Sequence, residues 1–354
     1  MTSFLSGGKV FVAGHSGLAG SAILRRLERE GELRLITRSH ADLDLTLHHD
    51  VDRFFASEKP DFVFLCAAKV GGIVANQTMP AEFIYQNLAI EANVIDAAYR
   101  HRVKRMLFLG SSCIYPREAP QPIKECSLLT GPLETTNRAY AVAKIAGIEM
   151  CWSYNRQYAT QFIAAMPCNL YGPNDNYDLR DAHVLPALIR KMHIAKENGD
   201  PEVIVWGTGT ARREFLHSDD MASACVLVMS LPEEEFHDFT AAGSEPPVFN
   251  IGYGKDWSIR ELAEIIAEIV GFTGRLVFDH SKPEGTPRKL LDCSRLNALG
   301  WTPAFTLHRG IETVYAEVRD CSRLSALDWT PAIPLRPGIE AVYTEQARRA
   351  GLRL

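Results

Sequence analysis

Short apolar runs typical of buried strands alternate with segments of helical periodicity between residue 9 and about residue 170. The predicted strands are residues 9–13, 33–37, 61–68, 106–109 and 161–166, and the predicted helices are residues 21–30, 51–57, 81–102 and 137–154. Such alternation indicates βαβ units, whose crossover helices make consecutive strands parallel. The run at residues 61–68 is almost wholly apolar, as expected for a strand covered on both faces. The sequence therefore predicts an α/β fold with a Rossmann-type doubly wound parallel sheet.

The second half of the chain has a less regular pattern. Strands are predicted at residues 202–206 and 248–251, and helices at residues 182–198 and 258–270. We expect residues 1–171 to form the Rossmann domain, to which some later segments return. Residues 172–317 are expected to form mainly a smaller α/β substrate-binding lobe.

The C-terminal end contains an internal repeat. Residues 320–345 repeat the pattern of residues 292–317, beginning with Asp-Cys-Ser-Arg-Leu in both copies. Two copies are too few for a solenoid, which needs about three or more. We interpret residues 318–354 as a tandem-duplicated tail that packs peripherally or frays, in preference to an added contact surface.

The composition excludes several classes of function. The chain is 46% hydrophobic and 23% charged with a net charge of −5, so no overall positive field would attract nucleic acid or an anionic membrane. No segment has the ~20 apolar residues of a membrane span, and residues 1–9 lack the order of a secretory signal. The eight cysteines form no CxxC pair, which argues against a metal site and favours reduced thiols in a cytoplasmic protein.

A glycine-rich loop separates the first predicted strand from the first predicted helix. Gly14, Gly17 and Gly20 are three residues apart. Glycines in this setting allow a tight turn, close approach of the backbone to a pyrophosphate and close helix packing, while the helix N-terminus offers amide donors. The loop predicts dinucleotide binding.

The end of the second strand distinguishes NAD from NADP. An acidic residue there would bind the ribose 2′-hydroxyl and repel a 2′-phosphate, but the chain has no carboxylate between Ile36 and His40. Arg38 can pair with a phosphate, and His40 and Ser16 are possible hydrogen-bonding neighbours. NADP(H) is therefore the predicted cofactor.

Tyr140 and Lys144 lie four residues apart in a predicted helix, so they share one face. A nearby ammonium stabilises a phenolate, and we therefore expect Lys144 to lower the pKa of Tyr140 from its usual value of ~10. Such a tyrosine can exchange a proton with a carbonyl while a hydride moves, and Lys144 can also hold the nicotinamide ribose. Ser111 follows another strand and is expected to hydrogen-bond the reacting oxygen.

Seven stretches carry a resemblance to a known family. They are VFVAGHSG at residues 10–17, AAKVGGIVAN at 67–76, FLGSSCIYP at 108–116, YAVAKIAG at 140–147, NLYGPN at 169–174, REFLH at 213–217 and GTPRK at 285–289. With them, the chain resembles the extended short-chain dehydrogenase/reductases over residues 8–317. Within that superfamily it is most similar to the GDP-L-fucose synthase family.

The resemblance implies an NADPH-dependent oxidoreductase that is also an isomerase. Its reaction is the two-step conversion of GDP-4-keto-6-deoxy-D-mannose to GDP-L-fucose, by 3,5-epimerisation and then reduction of the 4-ketone. In this family a cysteine and a histidine exchange protons with the sugar, and they match Cys113 and His183. Tyr140 would donate the proton when hydride reaches C4.

The resemblance also implies ligand contacts and an assembly. Besides the residues already named, the predicted cofactor contacts are Asn169, Leu170 and His183, and the predicted substrate contacts are Lys191, Trp206, Arg213, Glu284 and Lys289. A homodimer built from the helices at residues 81–102 and 137–154 is expected. Two positions depart from the family: Ser16 stands where many relatives have an arginine that binds the 2′-phosphate, and Glu284 stands where Asp is usual.

Two alternatives remain open at the level of sequence. Another nucleotide-sugar epimerase or dehydratase would not require the Cys113/His183 pair, and a dehydratase would favour an acidic residue near the Tyr-Lys helix together with tightly held NAD. A weakly active or non-catalytic dinucleotide-binding paralogue would tolerate the loss of Tyr140 or Lys144, but both are present.

Overall fold

The computed structural model describes residues 4–179, 181–240, 245–282 and 285–320 of the chain. Contacts divide the chain into two units, Met1–Tyr315 and Ala316–Leu354. Only residues 316–320 of the second unit are described, as the end of a helix. The predicted tail, residues 318–354, therefore lies almost wholly outside the described residues.

Strands and helices alternate along most of the first unit. The strands are β1 Lys9–Ala13, β2 Arg34–Ile36, β3 Phe62–Leu65, β4 Arg105–Leu109, β5 Phe162–Pro167, β6 Asn169–Tyr171, β7 Glu202–Trp206, β8 Arg212–His217, β9 Val248–Ile251, β10 Asp256–Ser258, β11 Arg275–Asp279 and β12 Arg288–Lys289. The helices are α1 Leu18–Glu28, α2 His48–Glu58, α3 Ile73–Thr78, α4 Pro80–Arg100, α5 Arg138–Tyr158, α6 Val184–Asn198, α7 Ser218–Met229, α8 Glu233–Thr240, α9 Ile259–Val270, α10 Ser294–Asn297 and α11 Leu307–Asp320. Of these described helices, none is long and apolar enough to cross a membrane.

Within the described residues, six strands form one parallel sheet in the order β2-β1-β3-β4-β5-β9. Successive side chains of β3, β4 and β5 are all buried, so both faces of the sheet are covered. Helices α1 and α7 pack together, and α2, α4 and α5 form a second group. The predicted Rossmann-type doubly wound fold is confirmed.

The sheet reverses its winding direction at β1. Its two neighbours, β2 and β3, lie on opposite sides of β1, so the connections that follow β1 and β2 run in opposite directions. In open α/β sheets, ligands bind beyond the carboxyl ends of the strands at such a switch point. The glycine loop follows β1 directly and therefore lies at this position.

Most predicted elements in the first half appear with ends shifted by a few residues. Helix α5 ends four residues later than predicted, at Tyr158, and α1 begins three residues earlier, at Leu18, because Gly17 caps it. Helix α7 was not predicted, because it has no polar stripe: nine of its residues, from Ser218 to Met229, are buried. A helix that is apolar on most sides shows no helical periodicity in its hydrophobic pattern.

A second, smaller sheet is centred on β8 in the later part of the chain. Strand β10 pairs with β8 antiparallel, whereas β12 and β6 pair with it parallel. Lys289 of β12 is in register with Arg213 of β8, so these two cations are neighbours. Strand β7 pairs separately with β11, and β9 joins the large sheet. The division at residues 171 and 317 stays a prediction.

Gly20→Ala should destabilise the fold. The added Cβ would lie 2.1 Å from the carbonyl oxygen of Gly14. Because this neighbour is backbone and cannot turn away, we expect a loss of about 2 kcal/mol of unfolding free energy in urea titrations. Gly17→Ala is the control, since its Cβ would lie 3.7 Å from the same oxygen and its φ is an ordinary −81°. Equal stabilities of the two variants would contradict this view of the loop.

Candidate active site

A cleft of about 830 Å³ opens at the carboxyl ends of the central strands. Its walls come from the loops after β1, β3, β4 and β5 and from parts of α6, β7, β8 and β12. The predicted site residues that line it are Gly14, Ser16, Gly17, Gly20, Arg38, His40, Ser111, Cys113, Tyr140, Lys144, Asn169, Leu170, His183, Lys191, Trp206, Arg213 and Lys289. The remaining predicted residue, Glu284, lies outside the described residues. One cleft thus collects side chains from most of the chain.

Two of the three glycines of the loop, Gly14 and Gly20, are packed too closely to hold a side chain. Gly14 has a φ of +83°, and a Cβ there would lie 2.7 Å from the backbone nitrogen of Ala67. Gly17 caps α1, so the first turn of this helix opens on the cleft. Close backbone approach and helical amide donors fit a dinucleotide pyrophosphate.

Arg38 lies at the end of the cleft nearest β2. Its Nη2 pairs with the carboxylate of Glu58 at the end of α2, and its Nη1 donates to the carbonyl oxygen of Thr37 at 2.8 Å. His40 is exposed, and its Nδ1 lies 4.0 Å from Asp44. A phosphate that binds Arg38 would therefore compete with Glu58, a carboxylate from a different element that sequence reasoning did not connect with this site.

Tyr140 and Lys144 lie on the cleft side of α5, as predicted from their spacing. Lys144 is only 1% exposed, and its ammonium donates to the carbonyl oxygen of Leu109 at 3.0 Å. The same Nζ lies 3.3 Å from Glu91 Oε1 and 5.9 Å from the centre of the Tyr140 ring. Lys144 is thus tied to the end of β4 and to α4.

The pKa of Tyr140 is raised, which is opposite to the expected direction. Burial is the largest cause, the negative charges of Cys113 and Glu91 add to it, and hydrogen bonding by Ser111 opposes it. The expectation rested on Lys144 alone and did not include these buried acidic neighbours. A raised pKa keeps the proton on the phenol at neutral pH, so Tyr140 is present in the protonated form, which gives up its proton less readily than a phenol of ordinary pKa.

Cys113 lies in a short turn directly after β4. Its backbone N–H donates to the Ser111 hydroxyl at 3.3 Å, and its Sγ lies 3.6 Å from the ammonium of Lys289. Burial alone would raise the pKa of the Cys113 thiol, but the charge of Lys289, hydrogen bonding by Ser111 and Lys289, and the charge of Arg213 together bring it below its usual value. The thiolate, which is the reactive form, is therefore favoured.

His183 precedes the first turn of α6 and faces the same cleft. The cleft walls desolvate its imidazole, and this desolvation, together with the charge of Lys289, lowers its pKa. A neutral imidazole can accept one proton and, in its protonated form, return it. Among the residues that the structure describes, no three His, Cys, Asp or Glu side chains cluster as metal ligands.

The far wall of the cleft combines cations with an indole ring. Trp206 is 41% exposed, and the ammonium groups of Lys191 and Lys282 lie 5.5 and 5.9 Å from its ring. Burial and the charge of Lys282 lower the pKa of Lys191. Lys282 was not predicted, because in the sequence it is one lysine in a polar loop.

Three buried polar residues were also missed, of which Asn76 lines the cleft and Asn87 and Glu91 lie behind it. The side chain of Asn87 exchanges two hydrogen bonds with the backbone of Lys69, and Asn76 donates to the carbonyl oxygens of Gly71 and Gly72, so both shape the loop after β3. Glu91 lies one turn beyond Asn87 on the buried face of α4. Two polar residues four apart on an otherwise apolar helix face are a signal that the sequence does contain.

A family model confirms the class of this site. The model described as the NAD dependent epimerase/dehydratase family matches residues 10–252. The chain belongs to this family. Its members depend on a nicotinamide dinucleotide, so the chain is a dinucleotide-dependent enzyme.

Curated relatives within the family confirm the resemblance noted from the motifs. A protein of Arabidopsis thaliana named "Putative GDP-L-fucose synthase 2" is 55% identical over 307 residues, which is 87% of this chain and 90% of the relative. The GDP-L-fucose synthase of Escherichia coli (strain K12) is 53% identical over 87% of this chain and 95% of its own length.

Solved structures agree with the fold. A GDP-6-OMe-4-keto-L-xylo-heptose reductase from C. jejuni has a TM-score of 0.84 and 38% identity, over 90% of this chain and 99% of the other. A GDP-L-fucose synthetase from Naegleria fowleri bound to NADP has a TM-score of 0.77 and 26% identity, over 90% and 95% of the two chains.

Lys289→Met should make Cys113 less reactive. Without the ammonium at 3.6 Å, we expect the pKa of the thiol to rise by about one unit and its alkylation by iodoacetamide at neutral pH to slow about tenfold. Peptide-resolved mass spectrometry separates Cys113 from the exposed Cys126. Lys282→Met, which removes a cation at Trp206, is the matched control. An unchanged rate in Lys289→Met would contradict the assigned role of this lysine.

Proposed function

We propose that this chain is a GDP-L-fucose synthase, which converts GDP-4-keto-6-deoxy-D-mannose to GDP-L-fucose with NADPH. The observation that supports this most is the position of Cys113, His183 and Lys289 beside Tyr140 in one cleft. A reductase alone needs only the phenol and the lysine. A thiol and an imidazole next to them supply the additional proton exchange that epimerisation requires.

The proposed first step is proton exchange at C3 and C5 of the sugar. The 4-ketone makes the hydrogens on both neighbouring carbons acidic, and inversion needs one group to remove a proton and another to return one from the opposite face. The pKa of Cys113 is lowered toward the thiolate, which suits the base. His183 has a lowered pKa and gives up a proton readily once it is protonated, which suits the partner acid.

The proposed second step is reduction of the ketone at C4. NADPH, when bound along the glycine loop, supplies the hydride. Tyr140 donates the proton to the carbonyl oxygen, and Ser111 orients that oxygen by a hydrogen bond. Lys144 holds the nicotinamide ribose and faces the Tyr140 ring from 5.9 Å. The sugar stays in one place, because both steps act on carbons next to or at the same carbonyl.

NADP(H) is the proposed form of the cofactor, and Arg38 is its proposed 2′-phosphate ligand. The guanidinium lines the cleft, and a bidentate pair with a phosphate is stronger than an exposed pair with one carboxylate. Ser16 lines the same end of the cleft and contributes a hydroxyl instead of a second positive charge. We infer that Arg38 exchanges Glu58 for the phosphate on binding.

The nucleotide of the substrate is proposed to bind at the far wall. Trp206 offers an exposed ring for stacking of guanine, while Lys191 and Arg213 offer positive charge to the diphosphate. Lys289 lies in register with Arg213 and connects this wall to Cys113. Asn169 and Leu170 of β6, which line the cleft, are proposed to lie beside the nicotinamide.

A dehydratase is the weaker alternative. It would favour a free carboxyl group near the Tyr-Lys helix, and Glu134 is the cleft-lining acid that comes closest along the chain. Its Oε1 accepts from the N–H of Thr136 at 3.2 Å, and its Oε2 lies 3.3 Å from Arg117. Although burial acts in the opposite direction, these contacts lower its pKa, so Glu134 is a poor proton donor.

We further propose a homodimer in which α4 and α5 meet the same helices of a second copy. Large apolar side chains are exposed on both helices: Tyr85 (69%), Leu88 (36%), Val142 (38%) and Tyr158 (43%). Exposed apolar groups on two adjacent packed helices are typical of such an interface. The cytoplasmic location stays a prediction.

Incubation with GDP-4-keto-6-deoxy-D-mannose and NADPH in deuterated water tests the whole proposal. We expect NADPH oxidation and, by NMR, GDP-L-fucose with deuterium at C3 and C5. Reduction without deuterium at these carbons would leave a reductase without epimerase activity. Turnover of another sugar nucleotide but not of this one would refute the assignment.

The same assay should separate the two chemistries. Cys113→Ser should slow deuterium incorporation by about a hundredfold, because it removes the base. Tyr140→Phe should slow NADPH oxidation by about as much while exchange continues. Cys126→Ser, at an exposed thiol, is the control. Equal loss of exchange in the Cys113 and Tyr140 variants would count against these roles.

Cofactor preference should depend on Arg38 and Glu58 in opposite directions. We expect Arg38→Gln to raise the Kd for NADPH about tenfold and to leave that for NADH nearly unchanged, because one charge-assisted contact is lost. Glu58→Gln should lower the Kd for NADPH, since Arg38 then has no competing carboxylate. Fluorescence titration measures both constants. Parallel changes for the two cofactors would show that Arg38 does not bind the 2′-phosphate.

A further inference from the structure

A buried carboxylate lies behind the Tyr-Lys pair. Glu91 of α4 is 1% exposed, as is Lys144, and the two groups approach to 3.3 Å. Glu91 does not reach the cleft, so it cannot touch a substrate held there. It therefore acts, if at all, through Lys144 and Tyr140.

The carboxylate of Glu91 has few stabilising contacts for a buried charge. Neither of its oxygens accepts a hydrogen bond of good geometry from any described residue, so the charge of Lys144 is what balances it. Burial raises the pKa of Glu91 to about 7, although Lys144 opposes the rise. A carboxylate buried in this way costs free energy, and such groups are most common at functional sites.

The carboxylate of Glu91 packs against Gly147 of α5, where a larger residue would not fit. A Cβ at Gly147 of α5 would lie 3.0 Å from Glu91 Oε2 and 2.6 Å from the ring of Phe108. The Phe108 ring also lies 4.5 Å below the Lys144 ammonium. Besides Lys144 and Tyr140, Cys151 of α5 also interacts with Glu91, and burial raises the pKa of Cys151, so that it stays a neutral thiol. Gly147 thus permits the close approach of α4 and α5 at the ion pair.

We propose that Glu91 is a positioning residue, which holds the Lys144 ammonium at the end of β4 and offsets its charge so that Tyr140 keeps its proton. Lys144 alone would stabilise the phenolate and lower the pKa at which Tyr140 loses its proton. With Glu91 beside it, the net charge behind the phenol is close to zero. The proposal deepens the proposed function, because it concerns the proton donor of the same site.

The direction of the effect follows from the charges around Tyr140. Its acidic neighbours are Glu91 and Cys113, and both raise its pKa, while Ser111 lowers it by hydrogen bonding. On the alkaline side of neutrality Glu91 is ionised, since its own pKa is about 7. Removal of that negative charge therefore lowers the pKa of Tyr140.

The pH dependence of kcat for NADPH oxidation tests the proposal. In Glu91→Gln, which keeps the size of the side chain, we expect the alkaline limb to move to lower pH by about one unit. Glu91→Asp keeps the charge and should restore the limb toward that of the unmodified chain. Glu125→Gln is the matched control: burial also raises the pKa of Glu125, but neither Lys144 nor Tyr140 is among the groups that act on it.

A second measurement separates this proposal from the proposed function. Titration of phenolate absorbance, with the Tyr140→Phe signal subtracted, follows the ionisation of Tyr140 without any sugar substrate. The onset of phenolate should come at lower pH in Glu91→Gln, even if the substrate assignment were wrong. A Glu91→Gln variant that loses stability or kcat uniformly, with both pH profiles unmoved, would show a purely structural role and overturn the proposal.

Discussion

The ammonium of Lys144 is the point on which the site depends. It connects three elements at once: it donates to the carbonyl oxygen of Leu109 at the end of β4, pairs with Glu91 of α4, and is carried by α5. Because the group is almost fully buried, its position is set by these contacts and not by solvent. The relative placement of β4, α4 and α5 therefore determines where Tyr140 meets a ligand.

Lys289 is the corresponding cation on the other side of the cleft, where the pKa values are lowered and not raised. Its charge lowers the pKa of both Cys113 and His183. Burial is the larger cause at His183. A lowered thiol pKa favours the thiolate, and a lowered imidazole pKa favours release of a proton, so one cation acts on both partners of the proposed proton exchange. The register of β12 with β8, which sets Lys289 beside Arg213, is what places it there.

The sequence was sufficient for the sheet, the glycine loop and the Tyr-Lys pair, because strand alternation and short residue spacings are local patterns. Cys113, His183 and the residues of the far wall were predicted only from the family resemblance. The sequence was insufficient where contacts join distant segments. Glu58 reaches Arg38 from another element, and Glu91 reaches Lys144 from another helix. The pKa of Tyr140 was expected in the wrong direction because burial, the largest cause of its rise, and the charges of Cys113 and Glu91 are not visible in the Tyr-Lys spacing. The spacing of four residues indicated that Lys144 is near Tyr140, whereas Glu91 lies 53 positions from Lys144 along the chain.

The pKa values of the groups on the two sides of the cleft are shifted in opposite directions, and this difference explains how one pocket can support two kinds of proton transfer. Glu91 and burial raise the pKa of Tyr140, and Lys289 lowers that of Cys113. Groups whose pKa values are moved apart in this way take different acid and base roles at one pH. The two also interact, since a thiolate at Cys113 raises the pKa of Tyr140 further. In the proposed mechanism, a thiolate that is available to remove a proton from the sugar also makes the phenol less able to lose its own, so proton exchange at carbon does not use up the proton needed for reduction.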